Sequence, residues 1–400
     1  MTDFATILAS LAIVASPQGA PSAATPVAPA VAAEESWRET WTDFAFEVAS
    51  AIPTEIHGRD RAKTQQAVVS ALIAQGKLLR ASQLAPAIRG WRQGEALAEI
   101  ALAYAKAGKP DEARSLARQA LALVPSLLDW QRERVNVMVG RVYVWLGEQD
   151  EATKLEQGVG ESEMGKVAAA RAGKFPAEHF DAQMAGLEDW IKTKNFDLVR
   201  NSVDVALEFY PACLTDAARR ARVEALVAAA NEQLAFDLRV SNLLRMADIV
   251  RAAGEAEAAR CFVAKADSVA TTSKWVPEDA VFQRARVARA KARCGQREQA
   301  LADLEAALSQ FDASREQIVD IFRAQPLRAV AEAYAELGER DRALAVYLRA
   351  IEEGSRNPNA RPRAEDLSAT ALSMASSGVE PDDAVAARLR AVRAGLAEPW

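Results

Sequence analysis

A recurring spacing of small residues is the feature that most constrains the fold of this chain. Gly108 is followed by Ala113 five residues later and by Ala120 twelve residues later. The same spacing recurs at Gly76/Ala81/Ile88, Gly147/Ala152/Val159, Gly254/Ala259/Ala266, Gly295/Ala300/Ala307 and Gly338/Ala343/Ala350. A degenerate copy reads Lys194/Val199/Ala206, and a last copy, Gly378/Ala384/Ala391, has one extra residue after the glycine. A fixed spacing that returns along the chain predicts a repeat architecture.

The repeated unit reads as a pair of helices. Apolar residues before Gly108 follow the helical i, i+3, i+4, i+7 spacing, and they are Leu97, Ile100, Ala101 and Tyr104. Glycine ends this helix because it adopts the left-handed conformation without steric cost, and Pro110 suits the first turn of a second helix. One such pair cannot bury its apolar face alone, so the sequence predicts an all-α chain of stacked antiparallel helix pairs.

These positions resemble the tetratricopeptide repeat family, in which a tyrosine precedes the glycine and alanine recurs in the second helix. The matching residues are Ile100, Ala101, Tyr104, Gly108, Ala113, Ala120 and Pro125 in one unit, Val139, Gly140, Tyr143, Gly147 and Ala152 in another, and Val330, Ala331, Tyr334, Gly338, Ala343, Tyr347 and Ala350 in a third. The resemblance covers roughly residues 60–396. It implies a right-handed superhelical solenoid whose concave groove, lined by the first helices, holds a segment of another protein.

The units depart from the family in length and regularity. The family repeat is about 34 residues, whereas the step is 39 residues from Gly108 to Gly147 and 43 from Gly295 to Gly338. We therefore expect longer helices or loops, and an irregular middle. The predicted division is N-terminal repeats over 59–175, irregular repeats over 176–270, and C-terminal repeats with a terminal capping helix over 271–400.

The N-terminal region is predicted to be separate from the repeats. An apolar run over 4–15 has the length of a signal-peptide core, and an Ala/Pro-rich stretch follows it. Residues 1–33 are therefore interpreted as a signal peptide and spacer, although Asp3 and the absence of basic residues before Arg38 argue against export. The expected location is the periplasm, because the alanine and arginine bias is typical of a GC-rich bacterial genome. The alternative is a cytoplasmic protein with a flexible tail, acting as a regulatory or assembly module.

Residues 34–58 are predicted to form a capping helix and a loop. Trp37, Trp41, Phe44 and Val48 fall on one helical face. The expected role of this stripe is to cover the first repeat. The alternative is a surface helix that contacts a partner or a membrane. Nothing in the sequence predicts a membrane span in the mature chain.

No stretch carries a catalytic signature. The only histidines are His57 and His179, and the three cysteines, Cys213, Cys261 and Cys294, form no CxxC pair. Phosphate-loop, GxSxG and HExxH motifs are missing. The formal net charge of −6 argues against a dedicated nucleic-acid binder. The sequence therefore predicts a non-enzymatic protein without cofactor or metal, and the less favoured alternative is a helical enzyme using a carboxylate pair.

Arginines in the C-terminal half are the candidate binding residues. Residues 283–297 carry five arginines and one lysine without an acid. By the family register, Arg289 and Arg293 face the groove, and Arg251 and Arg328 hold similar places in the neighbouring units. Arginine suits bidentate capture of a carboxylate, so an acidic peptide or protein segment is the predicted ligand. RNA is a less favoured ligand because the chain is acidic.

Two further expectations concern these arginines. The alternative to ligand binding is that they pair with acids on neighbouring helices, for which Glu298, Asp303 and Glu332 are the expected partners. The family also has a known clamp, built from lysine and asparagine, that binds the C-terminal carboxylate of chaperones. Its positions are occupied here by Ala98 and Leu102, Val137 and Arg141, or Ala285 and Arg289. A receptor for chaperone tails is therefore not expected.

Overall fold

The structure, a computed structural model, is all-helical in the part of the chain that it describes. That part comprises residues 29–157, 159–160, 165, 167–168, 170–171 and 179–400. It contains α-helices, short 3₁₀ turns and no strand, which confirms the predicted all-α class. The predicted signal segment lies almost wholly outside the described residues. No described helix is both long enough and apolar enough to cross a bilayer.

Short connections join most of the described helices, and residues 157–179 separate the helix that ends at Glu156 from the one that begins at Phe180. The helices are α1 (Pro29–Ala51), α2 (Thr54–Ala74), α3 (Leu78–Leu84), α4 (Trp91–Lys106), α5 (Pro110–Leu123), α6 (Asp129–Leu146), α7 (Gln149–Glu156), α8 (Phe180–Lys192), α9 (Phe196–Cys213), α10 (Ala217–Asn231), α11 (Phe236–Ala252), α12 (Ala256–Thr272), α13 (Pro277–Arg293), α14 (Arg297–Ser314), α15 (Ala324–Glu336), α16 (Arg340–Gly354), α17 (Ala360–Ser377) and α18 (Asp383–Ala394).

The glycines of the repeat end helices, as predicted. Positive φ angles, between 72° and 85°, occur at Gly76, Gly108, Gly147, Gly254, Gly295, Gly338 and Gly378. At Gly108 the next backbone N–H, that of Lys109, donates to the carbonyl of Tyr104 at 2.9 Å, which is the bond of a Schellman cap. Lys194, the residue that replaces glycine in the degenerate copy, has a φ of 57° and is the one non-glycine residue with positive φ in the described part.

The small residues after each glycine are packing contacts. The alanines of the regular copies have no solvent exposure, and they are Ala81, Ala113, Ala120, Ala152, Ala259, Ala266, Ala300, Ala307, Ala343 and Ala350. The prediction is wrong for the last copy of the repeat. Ala384 and Ala391 are exposed there, and Val385 and Val392 are buried instead. The longer connection after Gly378 changes the phase of the helix that follows.

Contacts divide the chain into two units, each made of separate segments. Unit 1 comprises the residues up to Ala96, Asp320–Ala335 and Glu339–Trp400, and unit 2 comprises Leu97–Val319 and Glu336–Gly338. Helices from both ends of the chain therefore belong to unit 1.

Within unit 1, α1 packs against α2 and also runs beside α17. The guanidinium of Arg38 donates to the carbonyl of Ala375 at 2.9 Å, and the Ser368 hydroxyl donates to the carbonyl of Ala45 at 2.8 Å. Trp41 and Val48 of the predicted stripe are buried in this packing, whereas Trp37 and Phe44 are partly exposed. A solenoid repeat contacts its sequence neighbours, so the α1–α17 pair is a contact that the repeat pattern did not predict.

Within unit 2, the helices α8 to α13 alternate between two rows. The first row holds α9, α11 and α13, and an ion pair between Asp204 of α9 and Arg245 of α11 (2.6 Å) links two of them. The second row holds α8, α10 and α12, and Glu188 of α8 pairs with Arg222 of α10 at 2.7 Å. The Lys194 copy predicted that α9 is the second helix of its pair. In the structure α9 instead belongs to the first row, because the second-row place beside α10 is taken by α8.

Candidate functional site

Three of the four predicted binding residues come together. Arg251 lies at the end of α11, and Arg289 and Arg293 lie on α13, all in unit 2. Arg328 lies in unit 1, where it pairs with Asp366 at 2.8 Å and both side chains are largely buried. Burial raises the pKa of Asp366, and the charge of Arg328 offsets this effect in part. The structure therefore gives Arg328 a buried ion pair of its own.

The three arginines of unit 2 share two carboxylates. Glu336, at the end of α15, accepts hydrogen bonds from Nε of Arg289 at 3.3 Å and from Nε of Arg293 at 3.0 Å. Asp248 of α11 lies 3.3 Å from Arg293 and 3.6 Å from Arg251. Pairing with acids on neighbouring helices is thus present, but through acids other than those expected from the sequence.

Two of the three acids that the sequence offered as partners contact residues outside this arginine cluster. Asp303 binds Lys291 at 2.7 Å, and Glu332 accepts a hydrogen bond from Ser373 at 2.6 Å. Glu298 lies exposed at the start of α14 and forms no hydrogen bond or ion pair with another described residue. The sequence located the basic side chains but not the acids that face them.

The charged groups of this cluster stabilise one another's ionised forms. Burial disfavours the ionised form of Glu336, but the guanidinium groups of Arg293 and Arg289 outweigh it and lower the pKa of this carboxyl. Burial likewise disfavours the charged form of Arg293, and Glu336 and Asp248 reverse the effect and raise its pKa. Between 23% and 38% of the Arg293 and Asp248 side chains remains exposed, so solvent or a ligand can reach both.

A charged side chain of α4 lies close enough to Glu208 of the first row, and to a charged side chain of α6, to interact with both electrostatically. Lys106 lies at the C-terminus of α4, and the charges of Glu208 (α9) and Arg141 (α6) act on its pKa. The dominant effect on that pKa is burial, which lowers it, although the side chain is exposed. The ammonium of Lys106 also lies 4.9 Å from the ring centre of Trp145.

We call this set of side chains the charge row. Its members are Lys106, Arg141, Arg200, Asp204, Glu208, Arg245, Asp248, Arg251, Arg286, Arg289, Arg293 and Glu336. Arg200 belongs to it because it precedes Asp204 by one helical turn of α9. The row holds two basic side chains for each acidic one, in a chain whose formal net charge is −6.

Three guanidinium groups of the charge row contain a donor that stays unsatisfied within the described residues. Nε of Arg141, of Arg200 and of Arg251 is buried without a hydrogen-bond acceptor. The recorded hydrogen bond of Arg141 is a long one to the sulfur of Met138, at 3.4 Å. Native proteins leave few buried donors unsatisfied, because each costs about 1–3 kcal/mol. A ligand that supplies acceptors would remove this cost.

Register relative to the glycines was a sequence signal for the missed members. Lys106, Arg293 and Glu336 each stand two residues before a repeat glycine, and Arg141, Asp248 and Arg289 each stand six residues before one. These positions are less than two helical turns from the same turn, so equivalent places in successive units fall in one line. The run of basic residues in 283–297 indicated Arg289 and Arg293, but it gave no sign of the acidic members or of the basic members on other helices.

Other chemistry is sparse in the described part. His57 Nδ1 lies 3.5 Å from Asp60 in unit 1, and His179 precedes α8 in unit 2. No group of three or more histidine, cysteine or acidic side chains is placed to hold a metal within these residues. All three cysteines are free thiols, and Cys213 is buried.

Comparison with protein-family models found none that matches the chain, and comparison with curated proteins found no match either. The geometry of the charge row is therefore the main guide to function.

Proposed function

We propose that this chain is a non-enzymatic scaffold of tetratricopeptide-repeat type whose charge row holds an acidic segment of a partner protein. The observation that carries the proposal is the set of buried, acceptor-free Nε groups of Arg141, Arg200 and Arg251 in a row with excess basic charge. A guanidinium presents its donors in a planar fork that matches a carboxylate. An acidic side chain entering the row satisfies donors that are already desolvated.

A protein segment fits the row better than a nucleic acid does. The acids Asp204, Glu208, Asp248 and Glu336 alternate with the basic side chains of the row. A continuous phosphate backbone would meet these carboxylates and be repelled. A peptide can place its own acidic residues opposite the basic groups and neutral residues opposite the acids. The expected ligand is therefore a peptide with spaced acidic residues.

Arg141 is the sharpest position for a test. Replacing Arg289 and Arg293 removes pairs with Glu336, so a loss of binding there would be mixed with a loss of stability. Arg141 has no recorded carboxylate partner in the described residues, and Arg118 of α5 is an exposed arginine of the same unit for the matched control. Both Arg141→Glu and Arg118→Glu change the net charge by the same amount, so long-range electrostatics are equalised.

The assay is fluorescence anisotropy of labelled peptides with spaced glutamates, at physiological salt, with melting temperatures measured for each variant. We expect Arg141→Glu to weaken binding by about tenfold or more and Arg118→Glu to have little effect, since charge reversal at a buried contact costs about 1.4 kcal/mol or more. Arg141→Gln should give an intermediate loss. Equal affinities of Arg141→Glu and Arg118→Glu would refute the proposed site.

We also propose that the protein is exported, because residues 1–33 contain an apolar run and small residues that resemble an export signal. Mass spectrometry of the N-terminus of the natively expressed protein tests this placement. A mature chain that starts between about residue 21 and residue 33 supports export. A retained Met1 or Thr2 supports the alternative of a cytoplasmic regulatory or assembly module.

A further inference from the structure

A recess lies in unit 2 on the second row of helices, which holds α8, α10 and α12. The helices α10 and α12 are tied near their N-terminal ends by an ion pair between Arg220 and Glu255 at 2.6 Å. Residues from their C-terminal halves and from α11 line a depression of about 200 Å³, and Met246 and Leu243 of α11 belong to this lining. The opening between α10 and α12 is thus a groove with α11 beneath it.

The groove continues past the end of α12. A second depression, of about 440 Å³, is lined by Phe236, Arg239, Ser268, Val269, Thr272 and Lys274. Arg239 and Val269 line both depressions, so the two are contiguous. We call the combined surface the α10–α12 groove. It is open along its length, which suits a chain that lies across the surface better than a small molecule that must be enclosed.

An exposed aromatic wall lies at the wide end of the α10–α12 groove. Phe236 is 40% exposed and meets Trp275 edge to face, with 5.9 Å between the ring centres. Val276, directly after Trp275, is 53% exposed. Large apolar side chains left open next to a depression mark a surface that gains free energy when it is covered.

Three basic side chains lie close to this wall and along the groove. The guanidinium of Arg239 lies 5.1 Å from the Phe236 ring centre and donates to the backbone carbonyls of Leu234 and Glu232. The ammonium of Lys265 lies 5.2 Å from the ring centre of Phe262, and Lys274 is exposed. Within the part of the chain that the structure describes, no carboxylate forms an ion pair or hydrogen bond with these three basic side chains.

One of the two acids that line the α10–α12 groove is already engaged. Glu224 accepts hydrogen bonds from Tyr210 at 2.6 Å and from Arg220 at 2.8 Å. That leaves the carboxylate of Glu232 against three basic groups. Among the side chains that line the groove, the free basic groups therefore outnumber the free acidic ones, which favours an anionic occupant. Asp237 follows Phe236 directly, and Glu278 and Asp279 follow Val276, so this excess of basic charge holds for the lining alone.

We propose that the α10–α12 groove binds a peptide segment of a partner protein in which an aromatic or aliphatic anchor lies next to acidic residues. The anchor covers Phe236 and Val269, and the acidic residues meet Arg239, Lys265 and Lys274. The side chain on the floor that adapts to the shape of an anchor is Met246, because its thioether is flexible and polarisable. This groove is formed by residues outside the charge row, so its binding does not depend on the function proposed for that row.

A phage-displayed library of random dodecapeptides is the probe. It is selected on the full wild-type chain and counter-selected on the Phe236→Ser/Lys274→Glu double variant. Both side chains are partly exposed, and melting temperatures establish that the variant is folded. We expect enriched peptides to combine a large apolar residue with Asp or Glu nearby. Failure to enrich peptides over the double variant, or enrichment of basic peptides, would overturn the proposal.

Affinities of one enriched peptide then separate the two sites. We expect Lys274→Glu alone to weaken binding by about tenfold and Arg141→Glu, in the charge row, to leave it unchanged. Lys274→Met, which removes the charge and keeps the stem, should give a smaller loss. If Arg141→Glu abolishes binding and Lys274→Glu does not, the peptide occupies the charge row and the α10–α12 groove is not its site.

Discussion

Removal of the Lys291 charge should destabilise unit 2 more than removal of one charge from any ion pair at the surface. Lys291 lies on α13 with 11% of its side chain exposed, and its ammonium is 2.8 Å from Asp267 of α12 and 2.7 Å from Asp303 of α14. Burial opposes the charge, but hydrogen bonds to both carboxylates outweigh it and raise the pKa of Lys291. One ammonium therefore holds three helices through two acids.

The magnitude follows from what Lys291→Met leaves behind. Methionine fills a similar volume, so the main change is that Asp267 and Asp303 face each other without a cation. Removing one partner of a buried pair costs about 3–5 kcal/mol. Because about 30% of each carboxylate is exposed, water recovers part of that loss, and we expect about 2–4 kcal/mol.

Urea denaturation followed by circular dichroism measures the loss, and hydrogen exchange of the amides in α12 to α14 localises it. A chain of two units need not unfold in a single step, so the exchange data assign the change to unit 2. The matched control is Lys274→Met, an exposed lysine for which less than about 0.5 kcal/mol is expected.

Recovery of the lost stability in a second variant is a stricter test of this prediction. The triple variant Lys291→Met/Asp267→Asn/Asp303→Asn removes the unpaired carboxylates and should recover most of the lost stability. The reasoning fails if Lys291→Met is as stable as the wild type, or if the triple variant is no better than Lys291→Met.

Two further predictions concern acid stability and helix ends. The folded-state pKa of Glu336 is lowered, so its stabilising contribution is present above the unfolded pKa of about 4.3 and is lost as pH falls through the folded value; the difference in urea midpoint between wild type and Glu336→Gln should therefore vanish toward pH 3. Gly108→Ala should cost about 1 kcal/mol, because its φ of 72° is left-handed while no atom within 4 Å opposes the added carbon. Lys194→Gly should raise the melting temperature slightly, because glycine adopts the positive φ of this turn without the steric cost that lysine has. A lower melting temperature would contradict this account of the turn.

Local features of the fold were predictable because they depend on neighbours along the chain. Gly108 ends a helix through its own conformational freedom, and Ala113 is buried because helical spacing puts it on the packed face. Prediction failed at Ala384 and Ala391, where the number of residues in a connection sets the phase of the next helix. It also failed for the row of α9, because a local turn does not determine which distant helix lies beside it.

The candidate site shows the same division. A run of basic residues and the repeat register led to Arg289 and Arg293, since both signals are local. Their partners Asp248 and Glu336 are more than 40 residues away in sequence, and many other acids were equally eligible. The orphaned Nε of Arg141 could not be recognised without knowledge of what surrounds it.

By itself, the sequence determined the all-α class, the helix ends at the glycines and the close-packed alanines. These follow from backbone conformation and helical periodicity, which act over a few residues. Tertiary structure alone decided that α1 runs beside α17, that Lys291 bridges two acids, and that α10 and α12 leave a groove over α11. The physical reason is that burial, ion pairing and groove shape depend on which helices become neighbours in space, and many pairings satisfy the same amphipathic pattern.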